Sequence, residues 1–421
     1  MSSFNHNPVS AKRKFSKLTP EFPSLPTPNF EAIQEFAERS QGVLNSLGNF
    51  TTANCVFLPF ISPNGLQYRF SSQQNSIFVI IRKSYNILKE EVQNTSSENH
   101  LGIYLRGPVG VGKSYLLYIL AAEYRLYRET YRVTYVNDCA SWRRKSYKYI
   151  LKELVTTFYN DVIDGKCIVE WCEAVVGSEK EEKLIALIDN LIGYVVAKDL
   201  TWILIFDQHN AFYARSVVVD EYPFSLVNEL AANRSKNIKV IVSASANNEG
   251  YPTEMKGWKT HDISSHRFDD NEFGLWCDQY MLGDNVKVDP KSEDAVDALY
   301  WSGGVPHELD LLWKQPVKSL QEKTMCYREN RVKEFTKDHS KFFDKLSKER
   351  RVNLKECITR MALCLSPPKI KVGMDRQLFD IVQNEDGSKV ITALNPVARD
   401  ALIAYHGKGL ITSLGMVAEI V

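Results

Sequence analysis

The sequence predicts an α/β fold in which a parallel sheet carries helices on both faces. Three observations predict it. Four largely apolar runs, Leu101–Leu105, Arg132–Val136, Trp202–Phe206 and Ile238–Ser243, read as strands, and His261-Asp262-Ile263 begins a fifth. Segments of helical periodicity separate the runs, and apolar strands alternating with helices mean a sheet buried on both sides. The first run leads into Gly107-Pro108-Val109-Gly110-Val111-Gly112-Lys113-Ser114, which matches the phosphate-binding loop G-x-x-x-x-G-K-[ST] set between a strand and a helix.

The elements follow in order. Residues 1–28, rich in Ser, Pro, Asn and Lys, read as an extended or disordered tail. Apolar residues at Phe30, Ile33, Phe36, Ala37 and Leu44 predict a helix from Phe30 to about Leu47, and those from Ile77 to Leu88 predict a second from about Gln73 to Val92. Asn94–Asn99 is a loop delivering the chain into the first strand. A helix runs from Ser114 to about Arg128, and others cover Tyr147–Tyr159, Ile168–Val176, Glu181–Val196 and Phe224–Arg234. Beyond Asp270 the pattern turns helical: Asn271–Leu282, Ser292–Ser302, a break at Gly303-Gly304-Val305-Pro306, then His307–Trp313. A charged helix pair spans about Gln315–Arg351, with its many lysines on a solvated face. Leu354–Leu365 is a helix ended by Ser366-Pro367-Pro368. Leu378–Val382 and Lys389–Thr392 flank a turn at Asn384–Ser388 as a hairpin, and Pro396–Tyr405 is a final helix. Helices with one hairpin suggest a winged-helix-like module. The expected division is a tail (1–28), a helical segment (29–98), a nucleotide-binding core (99–269), a helical lid with charged helices (270–352) and the winged-helix-like end (353–421).

Composition excludes some classes. The chain has 421 residues, 44% hydrophobic and 24% charged, with a net charge of +1, so overall charge favours no partner class. No apolar run approaches a membrane span, and no membrane partner is expected. The amino terminus lacks the apolar stretch of a secretory signal. Eight cysteines without a C-x-x-C pair read as reduced thiols of an intracellular protein. Lys12-Arg13-Lys14 is either a nuclear signal or a solvated tail.

The chemistry is expected at one end of the sheet. Glycines let backbone N–H groups close around an anion, and the start of the following helix adds its partial positive charge. The expected set for a nucleoside triphosphate is Gly107, Pro108, Val109, Gly110, Val111, Gly112, Lys113, Ser114 and Tyr115. Lys113 reaches the β- and γ-phosphates, and the Ser114 hydroxyl holds Mg²⁺. Asp207, closing the apolar run Trp202–Phe206, is the second Mg²⁺ partner, the alternative being a helix cap. Gln208 and His209 follow where many such enzymes carry a glutamate; Gln208 can orient water, and His209 can act as a base or both can hold the next strand. Ser245 and Asn247, past the fourth strand, are sensor candidates or turn caps. His307 is expected to face the site from the Gly-Gly-Val-Pro break, and Arg234 or Arg267 to neutralise charge on the transferring phosphate in cis or in trans. The basic and aromatic run Trp142–Tyr149 suits either nucleic-acid contact or a helix with its aromatics in the core.

Taken together, the loop Arg106–Tyr115, the strand Tyr135-Val136-Asn137-Asp138-Cys139 followed by Trp142, and Ile205-Phe206-Asp207-Gln208-His209-Asn210 resemble the ATPase module of Crinkler-type effectors, which is similar to that of trypanosome retrotransposon hot spot proteins. The resemblance covers about Ser71–Gly409, including Ala398-Arg399-Asp400-Ala401-Leu402-Ile403. It implies an AAA+/STAND-like P-loop NTPase domain, a helical lid and a winged-helix-like end. It implies ATP as the nucleotide bound with Mg²⁺ and allows secretion into a host cell; a winged module that engages DNA or a protein partner in a nucleotide-gated switch, and a homo-oligomer, are further expectations. The nuclease that members often carry is not expected here, since no PD-(D/E)-x-K constellation is found.

Overall fold

In the computed structural model, residues 27–52, 54–65, 72–73, 76–96, 99–145, 147–178, 181–213, 222–233, 235–244, 255–263, 267–279, 281–282, 286–362, 379–383, 389–393 and 395–414 are described. The chain opens with α1 (Phe30–Leu47), capped by Asn29, whose side chain accepts from the Ala32 N–H. Strands β1 (Cys55–Pro59) and β2 (Ser76–Ile80) then pair antiparallel. Helix α2 (Lys83–Asn94) leads to β3 (Ile103–Arg106), α3 (Lys113–Leu126) and β4 (Tyr131–Val136). Four helices follow: α4 (Cys139–Lys145), α5 (Tyr147–Phe158), α6 (Ile168–Ser178) and α7 (Glu181–Ala197). Strand β5 (Thr201–Phe206), a 3₁₀ turn at His209–Tyr213, α8 (Tyr222–Ala232), β6 (Ile238–Ser243) and β7 (Lys259–Asp262) complete the core.

The core sheet has the order β7-β3-β6-β5-β4, with every neighbouring pair parallel. Numbered within the sheet this is 5-1-4-3-2, a wholly parallel sheet with the glycine loop after its first strand, which fits the P-loop NTPase α/β fold. Alternation explains its two apolar faces. Trp202, Leu204 and Phe206 of β5 join one core with α5–α8, while Ile203 and Ile205 join the other with α2 and α3. Three layers result, helices on sheet on helices. Trp202 is fully buried, its indole N–H bonds the Thr134 hydroxyl at 2.9 Å, and its ring meets Phe158 edge-on at 5.2 Å. Trp202→Ala is expected to cost about 3–5 kcal/mol in a urea titration, as a large cavity does.

After β7 the chain is helical, with a third core of its own. It holds α9 (Asp270–Asp278), α10 (Glu293–Ser302), α11 (Pro306–Trp313), α12 (Leu320–Asp344) and α13 (Lys348–Ala362). Gly303 and Gly304 stop α10 with φ near +64° each, and Pro306 opens α11. Ser319 and Glu322 form a capping box on α12. The expected hairpin is β8 (Phe379–Gln383) with β9 (Lys389–Ala393), antiparallel, followed by α14 (Pro396–Leu414). Its turn, 384–388, and residues 363–378, including Ser366-Pro367-Pro368, lie outside the described residues, as do 1–26 of the expected tail.

Three expectations need correction. The helix expected over Gln73–Val92 begins only at Lys83; Ser76–Ile80 is a strand whose residues alternate in burial, since Ile77 and Val79 point into the core and β1 supplies an antiparallel partner. The helix expected over Asn271–Leu282 ends at Asp278, because Met281–Leu282 pairs with Val286–Lys287. The stretch expected as a charged helix pair is one helix, Leu320–Asp344, and the helix expected from Leu354 starts at Lys348, directly after a turn at residues 345–347.

Candidate functional site

Strand β3 ends at Arg106, α3 begins at Lys113, and the loop between them lies at the carboxyl edge of the sheet, where the strand order reverses around β3. Two glycines have specific reasons to be there. Gly112, the N-cap of α3, has φ +99°, and a Cβ on it would stand 2.9 Å from Arg82 Nη1. Gly110 has φ +84°, and a Cβ there would stand 2.6 Å from His307 Cβ. Side chains would be strained at both and would collide with these neighbours. Val111 is fully buried and anchors the loop, while Val109, Gly110, Gly112, Ser114 and Tyr115 remain half-buried at its rim. Lys113 is 8% exposed, and its ammonium donates to the carbonyls of Gly107 (2.7 Å) and Pro108 (2.6 Å). The cation is thereby held inside the loop, beside the positive end of α3.

Asp207 follows β5 and is 1% exposed. Its Oδ1 accepts from the Gln208 N–H at 2.9 Å and from the Ser243 hydroxyl, and the Ser243 oxygen in turn accepts from the Gln208 N–H at 3.1 Å. The register explains the triangle: Leu105 pairs with Ser243 and Phe206 with Val242, so β6 sets Ser243 between the phosphate loop and Asp207. Gln208 has φ +61°, a left-handed backbone that costs a non-glycine residue about 1–3 kcal/mol and marks sites where geometry is over-determined. Ser114 and Asp207 both lie at this edge and offer a hydroxyl and a carboxylate, the hard oxygen ligands Mg²⁺ takes alongside water and phosphate.

His209 is fully buried, with Phe212 5.3 Å away edge-on and Phe224 at 6.1 Å. Burial pushes its pKa down to about 3, so the ring is neutral at pH 7 and a weak base. Trp142 stacks on Phe206 at 5.8 Å and meets Phe212 edge-on, and Arg143 donates to the Ala211 carbonyl at 2.5 Å. The basic and aromatic run is thus a clasp on the His209–Tyr213 turn: Trp142 and Tyr149 are in the core.

The helical region reaches the loop directly. The His307 N–H donates to the Gly110 carbonyl at 3.2 Å, so α11 begins against the phosphate loop. Arg267 is half-buried beside Gly304, whose Cβ position lies 3.2 Å from Arg267 Cβ. Arg234, Ser245 and Asn247 lie outside the described residues. Three residues at the site carry no sequence motif: Ser243, Arg82 and Glu272. Ser243 was visible only as the polar end of the strand next to β3. Arg82 donates from Nη1 to the Val111 carbonyl at 2.6 Å and from Nε to Glu272 at 3.3 Å, contacts that link positions far apart in the chain.

No protein-family model and no curated protein matches the chain. Among solved structures it is similar to a Walker-type ATPase of Pyrococcus abyssi, at 13% identity and a TM-score of 0.45, covering 80% of this chain and 99% of that one. It is also similar to the ORC2 protein of Aeropyrum pernix in its ADPNP–ADP complexes, at 12% identity and a TM-score of 0.38, over 86% and 100% of the two chains. A third is DnaA of Aquifex aeolicus bound to AMPPCP, at 14% identity and a TM-score of 0.35, over 72% and 83%. The fold assignment rests on the sheet order and the loop geometry above.

Proposed function

We propose that this chain binds a nucleoside triphosphate with Mg²⁺ on the Gly107–Ser114 loop and hydrolyses it, and that the bound state governs how the helical region docks. The observation that carries the reading is the Lys113 ammonium held inside a loop of positive-φ glycines at the start of α3. ATP as the nucleotide, and a Crinkler-type module as the finer assignment, rest on the sequence resemblance around Asp207-Gln208-His209-Asn210.

The residues divide the work. Loop N–H groups and Lys113 bind and orient the phosphates. Ser114 and Asp207 would hold Mg²⁺, which supplies charge neutralisation on the phosphate oxygens when bound. Ser243 and the Gln208 N–H fix the Asp207 carboxylate in one orientation. The Gln208 side chain orients the attacking water, whose oxygen bonds to the γ-phosphorus as the bond to the leaving diphosphate breaks. The water's proton leaves with the phosphate product, since a loose transition state needs no strong base. His209 packs the Asp207 turn through its aromatic neighbours.

A second reading is a nucleotide-gated switch with little turnover, whose hairpin and α14 engage DNA or a protein. It is favoured by Gln208 standing where a carboxylate base is common. Single-turnover hydrolysis of Mg·ATP separates the two. Turnover above buffer that falls about 10- to 100-fold in Gln208→Ala supports the enzyme; turnover equal to buffer supports the switch, for which DNA affinity should fall steeply with salt.

A further inference from the structure

Arg82 is the N-cap residue of α2, yet its side chain makes no capping hydrogen bond to that helix. It turns instead into the interior, where the residue is 4% exposed. Nη1 donates to the Val111 carbonyl at 2.6 Å, Nε donates to Glu272 Oε2 at 3.3 Å, and the guanidinium stands 5.1 Å from the centroid of the Phe268 ring. Glu272 lies on α9 and is 7% exposed; its Oε1 accepts from the Lys83 N–H at 3.0 Å. Asp269, the N-cap of α9, pairs with the Lys83 ammonium at 2.6 Å. One guanidinium therefore joins the phosphate loop to the first helix of the helical region, and Glu272 ties that helix to the start of α2.

Peptide geometry gives this contact a consequence. The Val111 carbonyl and the Gly112 N–H belong to one trans peptide and point in opposite directions. Holding the carbonyl toward Arg82 turns the Gly112 N–H away from Arg82. Glycine at φ +99° leaves this peptide without a Cβ on its N–H side to hinder a rotation. A rotation would exchange donor for acceptor at a place meant for an anion. Glu272 completes the device, because a buried guanidinium without its carboxylate is strongly disfavoured.

Resting on the reading that the loop binds a nucleoside triphosphate, we propose that Arg82 is a positioning residue that locks the Val111–Gly112 peptide in its anion-binding orientation, and that Glu272 makes the lock depend on the docking of α9. With α9 docked, Arg82 is held against Val111 and the loop is competent. When α9 moves, Glu272 leaves with it and the peptide is released. Linkage makes the effect reciprocal: nucleotide on the loop stabilises the docked α9. The His307 contact to Gly110 provides a second tie between the same two bodies, at a different peptide.

The test titrates the full chain with a fluorescent N-methylanthraniloyl ATP and Mg²⁺, and follows hydrogen exchange of residues 267–278 with and without Mg·ATP. Arg82→Ala is expected to lose about 10- to 100-fold in affinity, the range for a hydrogen bond from a charged group. Arg82→Lys should recover part of it through a single bond to Val111. Glu272→Gln should lose about 3- to 10-fold, and the double variant should bind no worse than Arg82→Ala alone. Nucleotide should protect 267–278 in the wild type but not in Arg82→Ala, a readout that a purely structural role leaves unmoved. Arg82→Ala binding like wild type, or additive losses in the double variant, overturns the proposal. If Arg82→Ala does not fold, unchanged nucleotide protection of 267–278 in Glu272→Gln overturns it instead. Lys113→Ala is the reference: binding equal in wild type and Lys113→Ala overturns the site itself and this proposal with it, whereas loss in Lys113→Ala without loss at Arg82 overturns this proposal alone.

Discussion

Lys113→Ala is expected to lower nucleoside-triphosphate affinity by about 100-fold or more, with little change in stability. The ammonium is nearly enclosed and already aimed into the loop by the Gly107 and Pro108 carbonyls. Those two contacts are to backbone oxygens, and water entering the space the side chain leaves can replace the ammonium there. The fold therefore tolerates the loss while an incoming polyphosphate loses its only cation supplied by the loop motif. A fluorescence titration gives the affinity and a thermal melt gives the stability. Comparable loss in both would mean that Lys113 acts as a strut.

Asp207→Asn should separate binding from turnover. The amide oxygen can still accept from the Gln208 N–H and the Ser243 hydroxyl, so the left-handed turn at Gln208 keeps its anchors. The negative charge is gone, and with it the ligand that would hold Mg²⁺ opposite Ser114. Turnover is expected to fall about 100-fold. Binding of ATP without Mg²⁺ should stay the same or tighten, because an anion facing the phosphates has been removed. Turnover retained at wild-type levels would remove Asp207 from the metal site.

The sheet was legible because its strands are apolar on both faces, a pattern that needs no tertiary information. The phosphate loop was legible because glycines followed by Lys113 and Ser114 report a backbone requirement. The break at Gly303–Pro306 was legible for the same reason, and its placement against Gly110 follows from it. Short elements were not. Ser76–Ile80 reads equally well as a helix turn until β1 is beside it, and the hairpin at Val162–Cys167 shows only its Asp164-Gly165 turn, where φ is +48° and +77°. Side-chain roles set by distant contacts were also hidden. His209 reads either as a base or as a residue holding the next strand until its burial is known, and no sequence motif marks Arg82, whose partners Val111 and Glu272 lie far along the chain.

The central claim is that the backbone of Gly107–Ser114 grips the phosphates. Selective ¹⁵N-glycine labelling tests it most directly, because three of the loop's eight residues report individually. On titration with Mg·ATP the Gly107, Gly110 and Gly112 amide resonances are expected to shift together and saturate, while Gly42 and Gly193, on helices away from the site, stay in place. Loop glycines that do not move at saturating nucleotide, or shifts confined to glycines elsewhere, would contradict the account.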